Sequence, residues 1–245
     1  MKTLVIIPSR LSATRLPGKP LLKINGLSMI SHVYQKAREA NIGEVYVAAE
    51  DQEIIDDIYE NGGQAILTSK KHKTGTDRIY EALKKIGKPD IELIMNLQGD
   101  EPLMNIDDIR ILHNQMIKTN SEMGTLASKI EDESFFQKEN VVKVITKESL
   151  VNSKFSEAIN FMRKSHDLRE NVYHHLGIYC YKVETLKNFV SFDQSPNEIN
   201  NRLEQLRALD NNIKIKVSLA KESPIGVDTK EDFMAIKKIM EYKLQ

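Results

Sequence analysis

Through its first hundred residues this chain alternates short apolar runs with segments of helical period, and nothing else in it constrains the fold as strongly. Residues 4–7 are all apolar and stop at Pro8, which predicts a strand buried on both faces. Ser28 follows as the cap of a helix in which Ile30, Val33, Tyr34 and Ala37 recur at helical spacing. The same reading predicts strands over 44–49, 65–67 and 91–97, and helices over 51–59, closed by Gly62 and Gly63, and over 76–85. Strands alternating with helices of about ten residues imply right-handed βαβ crossovers. The expected class is therefore α/β, with a mainly parallel central sheet flanked by helices. Ligands of such sheets bind beyond the carboxyl ends of strands, which directs attention to the loops after Ile7 and after Leu97.

The second half is less regular. It predicts strands over 141–145, 176–181 and 213–218, and helices over 183–189, 198–209 and 229–241. No repeat, low-complexity segment or linker interrupts it, so the 245 residues are expected to form a single domain. Lys plus Arg balances Asp plus Glu at 35 each, which gives no reason to expect a nucleic-acid partner or an anionic membrane surface. No stretch approaches the roughly 20 apolar residues of a membrane span. The apolar run before Pro8 is also shorter than the roughly 7–15 residues of a signal-peptide core. Cys180 is the only cysteine, so no intrachain disulfide can form, and a cytoplasmic location is expected.

Six segments carry chemistry. Residues 8–20 (PSRLSATRLPGKP) place Arg10, Arg15 and Lys19 among Ser, Pro and Gly at a strand end. A triphosphate needs both cations and free backbone N–H groups, and such a loop supplies them, although it can also be read as a solvated basic loop. It matches neither the P-loop spacing nor a GxGxxG turn, which disfavours a P-loop ATPase or a dehydrogenase. Residues 96–102 (NLQGDEP) follow an apolar strand, and Asp100 there can hold Mg²⁺ or close an ordinary acidic turn. Asp228 in GVDT reads on spacing alone as a helix cap. GTDR (75–78) starts a helix, with Thr76 or Asp77 as its cap. His174 and His175 point to opposite faces of a strand and make a poor chelate, one of them expected to be buried. In LEQLR (203–207) the leucines are core by default, and Glu204 is either functional or a solvated charge.

Taken together, IIPSRLSATRLPGKPL, GTDR, NLQGDEP, NVVKV, HHLGIY, LEQLRAL and GVDT resemble, in order and over residues 6–229, the 3-deoxy-manno-octulosonate (Kdo) cytidylyltransferases. The resemblance implies a nucleotide-diphospho-sugar transferase-like (Rossmann-like) fold with a small sugar-binding and dimerisation lobe. About 1–130 would be the nucleotide part, about 131–225 the sugar and dimer part, and 226–245 the metal-ligand segment and last helix. It further implies CTP as donor, an acidic 3-deoxy sugar as acceptor, Mg²⁺, a homodimer and a step of lipopolysaccharide synthesis. Arg10, Ser12, Arg15 and Lys19 match the triphosphate loop, and Thr74, Arg78 and Gln98 match nucleotide contacts. Asp100 and Asp228 match paired magnesium carboxylates, with Arg15, Lys19 and Asp100 as the catalytic set. Gln98, His175, Tyr179, Glu204 and Gln205 match positions that line the sugar site.

One segment departs from the family pattern. Glu157 stands where a positive charge is expected, with Arg163 or Lys164 as a replacement cation. A carboxylate facing the sugar would suit an 8-amino analogue; alternatively it faces solvent. The rival readings are another sugar nucleotidyltransferase, such as one making CMP-sialic acid, and a homologue on the same fold that has lost its chemistry.

Overall fold

A computed structural model of the chain describes residues 1–12, 15–164, 171–223 and 226–242. They divide into two compact units, one of residues 2–91, 95–106 and 224–245, the other of residues 1, 92–94 and 107–223.

The first unit follows the predicted alternation. Its elements are β1 (Thr3–Ser9), a small hairpin of β2 (Lys23–Ile24) and β3 (Leu27–Ser28), α1 (Met29–Ala40), β4 (Glu44–Ala49), α2 (Gln52–Glu60), β5 (Ala65–Leu67), α3 (Gly75–Ile86) and the end of β6 (Leu93–Asn96). Strands stand in the order β5-β4-β1-β6, with β1–β4 and β4–β5 parallel. Leu4, Val5, Ile6 and Ile7 are wholly enclosed, as a strand covered on both faces requires. Ser28 caps α1 by accepting the Ser31 amide, as expected, whereas α3 is capped by Thr74, which accepts the Asp77 amide. Neither Thr76 nor Asp77 serves as the cap, because Thr74 alone has extended backbone ahead of the first turn. The C-terminal helix (Lys230–Tyr242) belongs to this unit: Val227, Phe233 and Ile236 pack with Ile24 of the hairpin and Met29 of α1.

The second unit contains α4 (Ile106–Thr119), β7 (Met123–Ser128), β8 (Lys143–Thr146), β9 (Ser156–Met162), β10 (Val172–Lys182), α5 (Val183–Ser191), α6 (Pro196–Asn201), α7 (Gln205–Asp210) and β11 (Ile215–Leu219). Its strand order is β10-β7-β11-β9-β8, and the first residues of β10 also pair with β8. Most of these pairs are antiparallel; β11–β7 is parallel. The single helix expected over 198–209 is two helices. Arg202 adopts a left-handed conformation (φ 52°) at the end of α6, and a non-glycine residue there interrupts the helix without any sequence signal.

Candidate functional site

A polar cleft of about 390 Å³ opens in the first unit beyond the carboxyl ends of β1 and β6, a volume within the range of small-molecule sites. Arg10, Ser12, Arg15, Lys19, Thr74, Arg78, Gln98, Asp100 and Asp228 all line it. The structure thus brings together every expected nucleotide and metal residue.

Local structure explains the convergence. Leu11 donates its amide to Asp51 (2.7 Å), and Gly18, left-handed at φ 69°, donates its amide to the Leu11 carbonyl (3.2 Å). These bonds fold the basic loop back on itself so that Lys19 turns inward. On the facing wall Gly99 passes so close to β1 and α1 that an added Cβ would lie 3.1 Å from both the Pro8 carbonyl and Ile30. A side chain there would push Asp100 out of place. The C-terminal segment is drawn in by a bond from the Val227 amide to the Asp100 carbonyl (2.9 Å). That bond makes Asp228 a neighbour of Asp100.

Asp228 does not cap the last helix. Thr229 accepts the Asp232 amide (3.2 Å), while the Asp232 carboxylate accepts the amides of Thr229 (2.9 Å) and Asp228 (3.1 Å). This reciprocal arrangement satisfies the helix start and leaves the Asp228 carboxylate to the cleft. The Lys19 ammonium sits 2.7 Å from Asp100 and 3.8 Å from Asp228, and also donates to the Val227 carbonyl (2.6 Å). Arg15 lies 2.9 Å from Asp228. Both carboxylates therefore face one cation position, and an ammonium group stands at it. Among the described residues no third His, Cys, Asp or Glu joins them. A hard divalent ion held by two carboxylates takes its remaining oxygens from water and phosphate, as Mg²⁺ commonly does. The donor set fits such an ion.

Arg78 lines the cleft with its guanidinium already engaged, paired with Glu50 and donating to the Thr68 hydroxyl (2.6 Å). It shapes the wall as much as it offers charge. Two lining residues escaped the sequence reading. His72 and Lys73 stand on the wall, and His72 is hydrogen-bonded to Glu81. Partial burial pushes the Glu81 carboxyl up, but hydrogen bonds from Lys85, the Ser69 amide and His72 outweigh it and bring the group to about 2. Beside the cleft, Glu101 is half-buried with its Oε2 enclosed; burial, and then the neighbouring Asp100 charge, push its carboxyl up to about 8.

The expected sugar residues other than Gln98 lie in the second unit. His175 and Tyr179 are buried on β10, with ring centres 5.4 Å apart, in a row that runs from Phe161 to Tyr181 and Phe189. A bulge between Leu176 and Tyr179 is held by the Thr125 hydroxyl, which donates to the Ile178 carbonyl (2.7 Å) and lies 3.1 Å from His175 Nε2. Burial, reinforced by the adjacent His174, lowers His175 to about 3, so it is a neutral hydrogen-bonding group at physiological pH. The Tyr179 hydroxyl is enclosed with no hydrogen-bond partner among the described residues, near enough to Glu204 to feel its charge. Glu204 opens α7, and Gln205 is buried in its first turn. His174 instead meets Ser223 (2.8 Å).

Glu157 and Arg163 have other partners. Glu157 lies beside Lys216 of β11, 3.6 Å away and opposite it in register. Arg163 donates to the backbone carbonyls of Glu139, Asn201 and Arg202.

Comparison with known proteins follows the same lines. The profile of a family described as cytidylyltransferase matches residues 4–215. A 3-deoxy-manno-octulosonate cytidylyltransferase of Rhodopseudomonas palustris (strain BisB18) is 41% identical over 242 residues, covering 98% of both chains. One of Thermodesulfovibrio yellowstonii is 41% identical over 251 residues, again covering 98% of each. Among solved structures, CMP:2-keto-3-deoxy-manno-octonic acid synthetase complexed with CTP superposes with a TM-score of 0.89 at 31% identity, covering 99% of this chain and 100% of that one. A UDP-glucose pyrophosphorylase complexed with UDP-glucose (TM-score 0.75, 14% identity, 99% and 100% covered) shares the fold.

Proposed function

The chain belongs to the 3-deoxy-manno-octulosonate cytidylyltransferase family, and from that premise we propose that it transfers CMP from CTP to the anomeric hydroxyl of Kdo, releasing pyrophosphate. The observation that carries the reading is the pair of carboxylates, Asp100 and Asp228, facing one cation position on the floor of a cleft whose rim is Arg10, Ser12 and Arg15.

The ion pairs in the cleft are poised for exchange. Lys19 and Arg15 neutralise Asp100 and Asp228. A triphosphate arriving with a divalent cation brings both signs of charge, so the phosphates can take the cations while the carboxylates take the metal, with little net cost in unpaired charge. Bound there by Asp100 and Asp228, Mg²⁺ would act as a Lewis acid toward the α-phosphate and lower the pKa of an attacking hydroxyl. The chain's own groups do the rest. Arg10 and Ser12 hold the phosphates in line, and Arg15 and Lys19 offset charge that builds on the departing pyrophosphate. Thr74 and the Arg78–Glu50 pair fix the wall against which the nucleotide lies. For the sugar acid the proposal assigns Gln98, His175, Tyr179, Glu204 and Gln205; the unpartnered Tyr179 hydroxyl and neutral His175 suit a polyhydroxylated ligand.

The Glu157–Lys216 pair supports plain Kdo over its 8-amino analogue, because the carboxylate already has a cation within the protein. The family resemblance also implies a homodimer, which sedimentation of the intact chain checks. No helix among the described residues is long and apolar enough to cross a membrane.

The test is pyrophosphate release from CTP and Mg²⁺ with Kdo, the 8-amino analogue and sialic acid, in wild type and Glu157→Arg. Turnover with Kdo in both proteins supports the reading. No release with any acidic sugar would instead mark a homologue that has lost its chemistry.

A further inference from the structure

Among the described residues, two cations in the second unit donate their hydrogen bonds to main-chain carbonyls. Lys143, wholly enclosed on β8, donates to the carbonyls of Lys138 (2.8 Å) and Arg163 (2.6 Å). Arg163 then spreads its fork over three more carbonyls: Nε to Asn201 (2.8 Å), Nη1 to Glu139 (3.0 Å) and Nη2 to Arg202 (2.8 Å). Lys143 thus seats the backbone of the residue whose side chain does the gripping. Lys164 reinforces the same corner by pairing with the Glu139 carboxylate (2.7 Å).

What is gripped matters more than the grip. Asn201 and Arg202 form the turn between α6 and α7, and Arg202 is held left-handed, a conformation that a non-glycine side chain resists. From the far side the turn is braced by Arg207, which donates to both oxygens of Glu198 (2.6 and 2.7 Å). Two and three residues beyond Arg202 come Glu204 and Gln205, at the start of α7. A planar guanidinium on three carbonyls fixes direction as well as distance, which an ammonium cannot do.

We propose that Arg163, seated by Lys143, is a positioning residue for the acceptor sugar: it sets the Asn201–Arg202 turn and thereby aims Glu204 and Gln205, without touching substrate itself. This rests on the reading that α7 meets the sugar.

The experiment compares the full-length wild type with Arg163→Met, Arg163→Lys, Lys143→Arg and Glu204→Gln, measuring KM for Kdo and for CTP, kcat, and amide hydrogen exchange over 203–207. Arg163→Met is expected to speed exchange in that segment and to raise KM for Kdo about tenfold while KM for CTP stays within about twofold. Arg163→Lys, able to keep one bond of the three, falls between. If Arg163→Met does not fold, Arg163→Lys and Lys143→Arg carry the same comparison. Unchanged exchange over 203–207 overturns the clamp. Faster exchange with an unchanged KM for Kdo, while Glu204→Gln raises it, overturns the positioning role alone. If Glu204→Gln also leaves that KM unmoved, the assignment of α7 to the sugar fails, and the proposal falls with it.

Discussion

In the cleft of the first unit, opposite charges meet where solvent and ligand can reach them. Lys19 and Arg15 face Asp100 and Asp228, and three of these four side chains are substantially exposed. In the other unit, one set of charges is enclosed and bound to the fold itself. Arg207 and Glu198 form a two-pronged pair with about 3–4% of their side-chain surfaces exposed, and Lys143 serves carbonyl oxygens. Exposed pairs contribute little to stability and are readily exchanged for ligand charges, whereas breaking an enclosed pair strands a buried charge. The first arrangement suits turnover, the second a fixed surface. Substitutions of the exposed cleft charges should therefore register in rates, and those of the enclosed pair as unfolding.

The largest effect is expected for Asp100→Asn, with turnover falling by roughly 10²–10⁴, the size of losing one strong transition-state contact. Its thermal midpoint should stay near wild type, because the side chain is 31% exposed. Near-full pyrophosphate release at low Mg²⁺ would remove Asp100 from the metal site. Next is Arg207→Met, which leaves Glu198 enclosed and unpaired and should cost about 3–5 kcal/mol of stability. Urea unfolding reads this directly, and an Arg207→Met, Glu198→Leu double variant should recover much of the loss. A cost under about 1 kcal/mol would erase the contrast between the two units.

Acid provides the third. His175 titrates near 3 in the folded protein, below its ordinary 6.5, so between those values the unfolded chain binds the extra proton. Its contribution to stability is complete above pH 6.5 and declines as pH falls toward 3, by up to about 1.4 kcal/mol per pH unit. His175→Gln should flatten that part of the profile; an unchanged slope would assign the acid sensitivity elsewhere. Smallest is Glu157→Gln. Loss of its partly exposed pair with Lys216 should cost less than about 1 kcal/mol and leave the ratio of Kdo to 8-amino-Kdo turnover unchanged. A changed ratio would give Glu157 a role beyond that pair.

Legibility in the sequence divided along the same line. The basic loop and the NLQGDEP turn were readable because their cations and carboxylates lie close along the chain at the ends of apolar runs, and β1 and β4 to β6 appeared near their expected places. The helix α4 passed unread although Ile109, Leu112 and Met116 recur on its buried face. For β7, the run MGTLAS carries weak strand propensity, and pairing with β10 and β11 on its two sides makes it a strand. Spacing alone favours Asp228 as a cap, but the T-x-x-D box one residue later competes for the same helix start and wins.

By itself the sequence determined the α/β alternation, the strand ends from which a ligand would be bound, and the family, since these depend on residues near one another in the chain. Tertiary structure alone decided that Lys19 reaches both Asp100 and Asp228, that Glu157 answers Lys216, and that Arg163 turns to carbonyls rather than to a ligand. The partner of a long charged side chain is whichever group the folded backbone brings within about 3 Å, and no local pattern encodes that distance.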